Sequence, residues 1–166
     1  MSLRTALEAL YAVGENMTKA NGFNLDWRGS KDLDLRDMST VEASLFWVVY
    51  QDEENLDNEQ GGGAGNGRYA DIANVIIVAS PSYDNATYDN RETPFNSTLQ
   101  LADAVEDIKH AFDANGLYGD TICAGGIEWL DYQGCEEDTI EEENNYNTKR
   151  LNMRFQFKYF TDRRRP

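Results

Sequence analysis

The stretch Tyr69-Ala-Asp-Ile-Ala-Asn-Val-Ile-Ile-Val-Ala-Ser80 is more apolar, more β-branched and less interrupted than any other part of the chain. It predicts a long central strand. The side chains of a strand alternate between its two faces, and here both alternating sets are apolar, so we expect both faces to be covered. One set is Ile72, Ile76 and Val78, and the other is Ala73, Val75, Ile77 and Ala79.

Two further segments supply the neighbours that a central strand needs. Residues 43–51 are rich in aromatic and β-branched side chains. Residues 151–160 alternate strictly between apolar and polar side chains, and both patterns predict strands that pair with residues 69–80. A fourth, less regular strand is predicted over residues 125–132. The apolar side chains of the terminal strand are Leu151, Met153, Phe155, Phe157 and Tyr159.

Length and composition are typical of one folded domain. The 166 residues, 40% of them hydrophobic, suffice to bury a core, and we expect a single domain over residues 1–166. The formal net charge of -15 argues against a protein that holds nucleic acid by neutralising phosphates. The sequence has no apolar run of about 20 residues and no signal peptide, so we expect folding in a cytoplasm and no membrane partner.

An amphipathic helix is predicted over residues 2–19, where apolar side chains recur at helical spacing. The dipeptide Asn21-Gly22 is a stop signal, because glycine readily adopts the left-handed conformation found at helix ends. Residues 23–27 are then either a connection or an edge strand carrying Trp27.

A second helix is predicted over residues 101–115. The preceding Ser97-Thr-Leu-Gln100 matches a capping box, in which the serine and glutamine side chains satisfy free backbone N–H groups. Asn115-Gly116 ends this helix, and we expect Leu117 to make the hydrophobic contact that often accompanies such ends.

Residues 52–67 are predicted to form a flexible acidic loop at the tip of an antiparallel hairpin. Glycine loses more backbone freedom on ordering than any other residue, and five glycines occur here within seven residues. A phosphate-binding loop is disfavoured, because the Gly-Lys-Ser/Thr ending is missing and Arg68 leads into a strand. We expect this loop to be a contact device, with Gly61, Gly62, Gly63, Gly65 and Gly67 as candidate interface residues.

Two oppositely charged segments lie near the end of the chain. Residues 136–148 are predicted to form an acidic loop, and residues 161–166 a basic tail. The acidic loop is either simply solvated or seeks a basic partner. The tail is either free or reaches the acidic run of a neighbouring copy, and both readings stay open. The candidate interface residues are Glu136, Glu137, Glu141, Glu142, Arg163, Arg164 and Arg165.

The sequence predicts no catalytic, cofactor-binding or metal site. His110 is the only histidine, and without companion ligands it is interpreted as a surface or helix-end residue. A calcium loop starting at Asp32 would need glycine and glutamate where Asp37 and Ala43 stand. The two cysteines, Cys123 and Cys135, are too few for a zinc cluster and are expected to be reduced thiols, with a disulfide left open if the assembly leaves the cell.

Taken together, these elements predict an α+β domain with a mostly antiparallel sheet of four to five strands and two helices packed against it. Their order resembles that of the tail terminator, or tail completion, proteins of tailed bacteriophages. The resemblance covers most of the chain as a layout of elements. It rests on the helix at residues 2–19, Trp47-Val-Val-Tyr50, Asn74-Val-Ile-Ile-Val78, the helix running into Asn115-Gly-Leu117, and the strand ending in Lys158-Tyr-Phe160.

The resemblance implies a structural virion protein without enzymatic activity or cofactor. Such a protein is assembled in the host cytoplasm as a ring, expected to be hexameric, and lies at the head-tail junction. There it caps the tail tube, ends tube polymerisation and joins the tail to the neck. The implied partners are further copies of the chain, the tail tube protein and the neck or head completion protein. The tail sheath protein is a further candidate, and DNA passes through without specific binding.

Two alternatives remain. A neck or stopper protein of the same assembly would share the ring and the acidic surface. A divalent-metal-dependent hydrolase is the more distant alternative, because clustered carboxylates bind divalent cations. Its ligands would come from Asp32, Asp34, Asp37, Glu53 and Glu54.

Overall fold

The computed structural model describes residues 2–29, 44–55, 68–81, 94–141 and 147–162. Within them the chain forms one five-stranded, mostly antiparallel sheet and three helices, which confirms the predicted α+β class. The elements are α1 (Leu3–Gly14), a 3-10 turn (Lys19–Asn21), β1 (Trp27–Gly29), β2 (Ser44–Asn55), β3 (Arg68–Ser80), α2 (Pro94–Ala111), α3 (Gly119–Ala124), β4 (Ile127–Glu141) and β5 (Asn147–Asp162).

The predicted central strand, β3, lies in the middle of the sheet. The strand order is β1-β2-β3-β5-β4, so β2 and β5 are the neighbours of β3, as predicted, and both pair with it in antiparallel fashion. The exception is β1, which runs parallel to β2 from Trp27↔Ser44 to Gly29↔Phe46.

The helices cover one face of the sheet. Val75 and Ile77 of β3 lie in the same buried cluster as Leu10 of α1 and Ile108 of α2. The alternating apolar side chains of β5 also point to this side and are all buried, as the sequence predicts. On the opposite face Val78 is buried whereas Ile72 and Ile76 stay partly exposed, so the second face of β3 is covered only in part.

Helix α1 begins at the Ser2 cap, whose side chain accepts a hydrogen bond from the Thr5 backbone N–H, but it ends at Gly14 rather than near residue 19. The carbonyl of Met17 is diverted from the helix, because it accepts a hydrogen bond of 2.8 Å from the backbone N–H of Trp27 at the start of β1. Gly22, at φ 91°, closes the 3-10 turn that follows. Gly22 is therefore a stop signal, but for this turn and not for α1.

Helix α2 begins at Pro94, seven residues before its predicted start, and ends at Ala111. The predicted capping box is wrong, because the side-chain amide of Gln100 is buried and donates to the carbonyl of Pro81 at 3.1 Å. Proline suits the first turn of a helix, where its missing N–H has no partner to lose. Leu117, for which a hydrophobic contact at the helix end is predicted, is 57% exposed.

Three further strand and helix assignments differ from the sequence predictions. Strand β4 continues to Glu141, so residues 136–141 of the predicted acidic loop lie in a strand. Strand β2 likewise extends over residues 52–55 of the predicted glycine-rich loop. The short helix α3 was not predicted.

Strand β4 carries a bulge between Tyr132 and Gly134. Gly134 has φ 138° there, a backbone conformation that residues other than glycine rarely adopt.

A buried carboxylate joins α2 to the segment that leads into β1. The side chain of Asp107 accepts hydrogen bonds from the backbone N–H groups of Asn24 and Leu25 and from the indole Nε1 of Trp27, each at 2.9 Å. Asp107 is only 3% exposed, so these three donors replace the water that the carboxylate would bind in the unfolded chain. This contact fixes the segment that forms the edge strand β1.

We expect Asp107→Ala to lower the free energy of unfolding by roughly 3 kcal/mol or more, because it leaves three donors without their acceptor. Urea denaturation followed by circular dichroism measures the change. The matched control is Glu106→Ala on the exposed side of the same helix, which should stay within about 0.5 kcal/mol of the parent chain. Equal values for the two variants would show that the Asp107 contact does not stabilise the fold.

Candidate assembly surface

The face of the sheet opposite the helices, called the outer face below, carries none of the helices that the structure describes. Near the start of β2 it is apolar and closed, because Trp47 and Val78 are 2% and 7% exposed. Further along, Ile76 and Ile72 remain partly exposed among polar neighbours. The outer face is thus a mixed surface, of the kind that an antiparallel sheet can present to solvent or to a partner.

A row of polar side chains crosses the middle of the outer face. The side-chain amide of Asn74 donates to Asp52 at 2.6 Å, and that of Gln156 donates to the side-chain oxygen of Asn74 at 3.2 Å. On the next strand Asp131 is the register partner of Gln156, and it accepts a hydrogen bond of 2.8 Å from Gln133. These cross-strand contacts link the side chains of β2, β3 and β5 and leave a carboxylate at each end of the row.

Two cations of the outer face, Arg154 and Lys158, are paired with carboxylates of β4. Arg154 lies 3.2 Å from Glu136, and Lys158 lies 2.6 Å from Glu128. The Lys158 side chain is only 16% exposed, which limits its access to a further partner. Three more carboxylates have register positions on this face, those of Asp52, Glu54 and Asp131. Asp138 and Asp162 on the same face have the cations Arg150 and Arg68 as register partners, and Arg28 lies at the β1 edge. The described part of the outer face is therefore weakly net acidic, and a phosphate group approaching it meets weak repulsion.

The two hairpins of the sheet end on opposite sides. Strand β2 runs away from its pairing with β1 toward Asn55, so the β2–β3 connection lies at the same end of the sheet as the end of β5. Strands β4 and β5 meet at Glu141↔Asn147, at the other end. The candidate interface residues are thus divided between two distant ends of one sheet.

The structure describes only some of the candidate interface residues. Glu136 pairs with Arg154, Glu137 is exposed, and Glu141 ends β4. The others lie outside the described residues: Gly61, Gly62, Gly63, Gly65, Gly67, Glu142, Arg163, Arg164 and Arg165.

On the face of the sheet that the helices cover, a buried polar contact joins the adjacent strands β2 and β5 across β3. The buried Tyr159 hydroxyl donates to Glu53 at 2.7 Å, and Asp71, 2% exposed, is the register partner of Tyr159. Burial, followed by the Glu53 contact, raises the pKa of Tyr159 well above its ordinary value of 10.0. The alternating pattern of β5 indicates Tyr159 only as an apolar side chain, and no local signal points to Glu53, 106 residues away.

The carboxylates proposed for a hydrolase do not converge where they are described. Glu53 and Glu54 have register partners Ala73 and Ile72, which lie on opposite faces of the sheet, and Glu53 is engaged by Tyr159. Asp32, Asp34 and Asp37 lie outside the described residues. Within the ranges that the structure covers, no three His, Cys, Asp or Glu residues are grouped as metal ligands would be.

The remaining candidates from sequence occupy peripheral positions. His110 is exposed in the last turn of α2, as predicted, with its ring centroid 5.5 Å from that of Phe23. Cys123 is exposed on α3, Cys135 is half-buried on β4, and both are free thiols. Burial raises the pKa of the Cys135 thiol, which lowers its reactivity near neutral pH. None of the helices in the described ranges is long and apolar enough to cross a membrane.

The raised pKa of Tyr159 predicts a loss of stability at alkaline pH. Above pH 10 the unfolded chain releases this proton while the folded chain retains it, so the free energy of unfolding falls as pH rises. The contribution of Tyr159 to this slope is at most about 1.4 kcal/mol per pH unit.

We expect Tyr159→Phe to flatten the decline in stability above pH 10, as measured by urea denaturation at a series of pH values. Tyr118→Phe is the control, because burial also raises the pKa of Tyr118 but its hydroxyl donates to the backbone carbonyl of Asn16 rather than to a carboxylate, so this variant should leave most of the slope in place. An unchanged slope in Tyr159→Phe would contradict the assignment.

No protein-family model matches this chain, and no significant match is found among curated proteins.

Proposed function

We propose that this chain is a structural protein of a tailed-bacteriophage virion, located at the head-tail junction. In this proposal it forms a ring, expected to be hexameric, that caps the tail tube, ends tube polymerisation and joins the tail to the neck. Two things support it: the order of elements, which resembles that of tail terminator proteins, and the outer face of the sheet. The observation that carries it is the pairing of Arg154 and Lys158 with carboxylates on a weakly net acidic face.

The electrostatics of the outer face suit DNA that moves past without being held. A protein binds DNA nonspecifically by placing free Lys or Arg side chains against phosphates and releasing counterions. Here Arg154 and Lys158 are already engaged by Glu136 and Glu128, and the surrounding carboxylates repel phosphate. The charge of the whole chain, -15, has the same sign. A ring made of such subunits would offer DNA no strong binding site along its path.

The position of the hairpins suits a subunit with more than one kind of neighbour. A ring interface is heterologous, so each copy must offer two different surfaces to the copies on either side. The tail tube protein and the neck or head completion protein then need surfaces of their own, and the tail sheath protein is a further candidate. The β2–β3 and β4–β5 hairpins end at opposite ends of the sheet and are thus separate contact points.

A neck or stopper protein remains the second candidate, because the acidic outer face suits any ring through which DNA passes. In the terminator proposal the β2–β3 connection contacts the adjoining ring. A hydrolase gains no support from the described carboxylates, since Glu53 and Glu54 lie on opposite faces.

The connection between β2 and β3 provides the test of this function. Residues 52–55 belong to β2, and Glu53 holds Tyr159, so the deletion has to spare them. We expect replacement of residues 56–67 by Asn-Gly to leave the fold intact and to abolish the joining of tails to heads in an in vitro complementation assay. Thermal unfolding monitors the fold, and a variant with a Gly/Ser/Asp loop of the original length separates the effect of sequence from that of reach. Undiminished joining by the deletion variant would overturn the assigned role of this loop.

A further inference from the structure

The same tripeptide, Ala-Asn-Gly, occurs at two described positions of the chain, residues 20–22 and 114–116. Asparagine followed by glycine is prone to spontaneous deamidation, because glycine has no Cβ to hinder the approach of its backbone nitrogen to the asparagine side chain. A third Asn-Gly pair, at residues 66–67, lies outside the described residues. Since the reacting residues of the two described sites are identical, the fold determines which of them reacts faster.

Asn21 is held by hydrogen bonds at both of its reacting groups. It is the last residue of the 3-10 turn, and its backbone N–H donates to the carbonyl of Thr18 at 2.9 Å. Its side-chain amide donates to the carbonyl of Asn16 at 2.8 Å. The backbone N–H of Gly22, the group that would attack this side chain, donates to the carbonyl of Lys19 at 3.1 Å. Both groups must therefore give up a hydrogen bond before they can meet.

Asn115 is held less firmly, although its sequence is the same. It is exposed in the connection between α2 and α3 and belongs to neither helix. Its backbone N–H donates to the Asp113 carboxylate at 2.9 Å, and the backbone N–H of Gly116 donates to the Asp113 carbonyl at 2.9 Å. Within the described part of the chain, the side-chain amide of Asn115 makes no hydrogen bond. Only the Gly116 hydrogen bond has to open before the two reacting groups can meet.

We propose that Asn115 is a site of spontaneous deamidation and that the fold protects Asn21 from the same reaction. The Gly116 nitrogen gives up its proton and bonds to Cγ of Asn115. The Cγ–Nδ2 bond breaks, and the amide nitrogen leaves with that proton as ammonia. Water then opens the resulting succinimide ring at either carbonyl, which leaves aspartate or isoaspartate. This inference does not rest on the proposed function.

The product alters the connection between α2 and α3. A new carboxylate at position 115 lies close to that of Asp113, so two like charges repel each other. Isoaspartate also lengthens the backbone by one carbon, next to Gly116, whose carbonyl accepts a hydrogen bond of 3.1 Å from the Gly119 N–H at the start of α3. We therefore expect the modified chain to be more negatively charged and less stable than the parent chain.

Peptide mapping by mass spectrometry tests the proposal on the intact chain. The folded chain and the same chain in guanidinium chloride are incubated side by side at neutral pH, and the conversion of Asn21 and Asn115 is followed over time. In the denaturant, where neither connection persists, we expect equal rates at the two sites. In the folded chain we expect Asn115 to react roughly fivefold faster than Asn21 or more, which corresponds to one additional hydrogen bond of about 1 kcal/mol.

The matched control is Asn115→Gln, which keeps an amide but places it too far along the side chain for the five-membered ring. This variant should lose the modification at position 115 and leave the rate at Asn21 unchanged. Circular dichroism verifies that the incubated chain stays folded. The proposal is overturned if Asn21 reacts as fast as Asn115 in the folded chain, or if Asn115 reacts only in the denaturant. An equal preference for Asn115 in the denaturant would overturn it too, because the cause would then be local sequence and not the fold.

Discussion

The antiparallel pairing of β3 with β5, from Arg68↔Asp162 to Ala79↔Leu151, is the constraint on which the other elements depend. It fixes which side chains of both strands face the helices, because a shift by one residue would turn every side chain to the other face. In the observed register the Phe155 ring meets the Phe112 ring with centroids 6.0 Å apart, and Phe112 in turn lies 6.5 Å from Phe46 on β2. The helix layer is thereby confined to one face, and the opposite face is left for polar pairing or for partners.

Buried polar contacts then hold the connecting segments to this layered core. Asp107 binds the segment before β1, Tyr159 binds Glu53 on the neighbouring hairpin, and Gln100 holds the carbonyl of Pro81 just after β3. Each contact joins residues that are far apart in sequence and supplies hydrogen bonds that water can no longer provide. They explain how a chain with such polar connections reaches a defined arrangement of strands and helices.

The elements that the sequence predicted correctly are those with a regular local pattern. The apolar run of β3, the alternation of β5 and the helical spacing of apolar residues in α1 each depend on residues close together in the chain, and all three elements are observed. The parallel pairing of β1 and the role of Asp107 depend on residues brought together only by the fold, so no window of sequence contains them. The end of β4 was missed for a related reason. Its acidic residues are typical of a loop, but the register places them beside β5, where Arg154 pairs with Glu136.

The proposed role is consistent with how this fold divides its surfaces, with a helix layer on one side, a weakly acidic sheet face on the other, and hairpins at two opposite ends. The most direct measurement is immunogold labelling of intact particles from the source of this protein, with an antibody against the chain and negative-stain electron microscopy. The account predicts label confined to the head-tail junction. Unlabelled particles, with the protein recovered free in the lysate, would contradict a structural role in the virion.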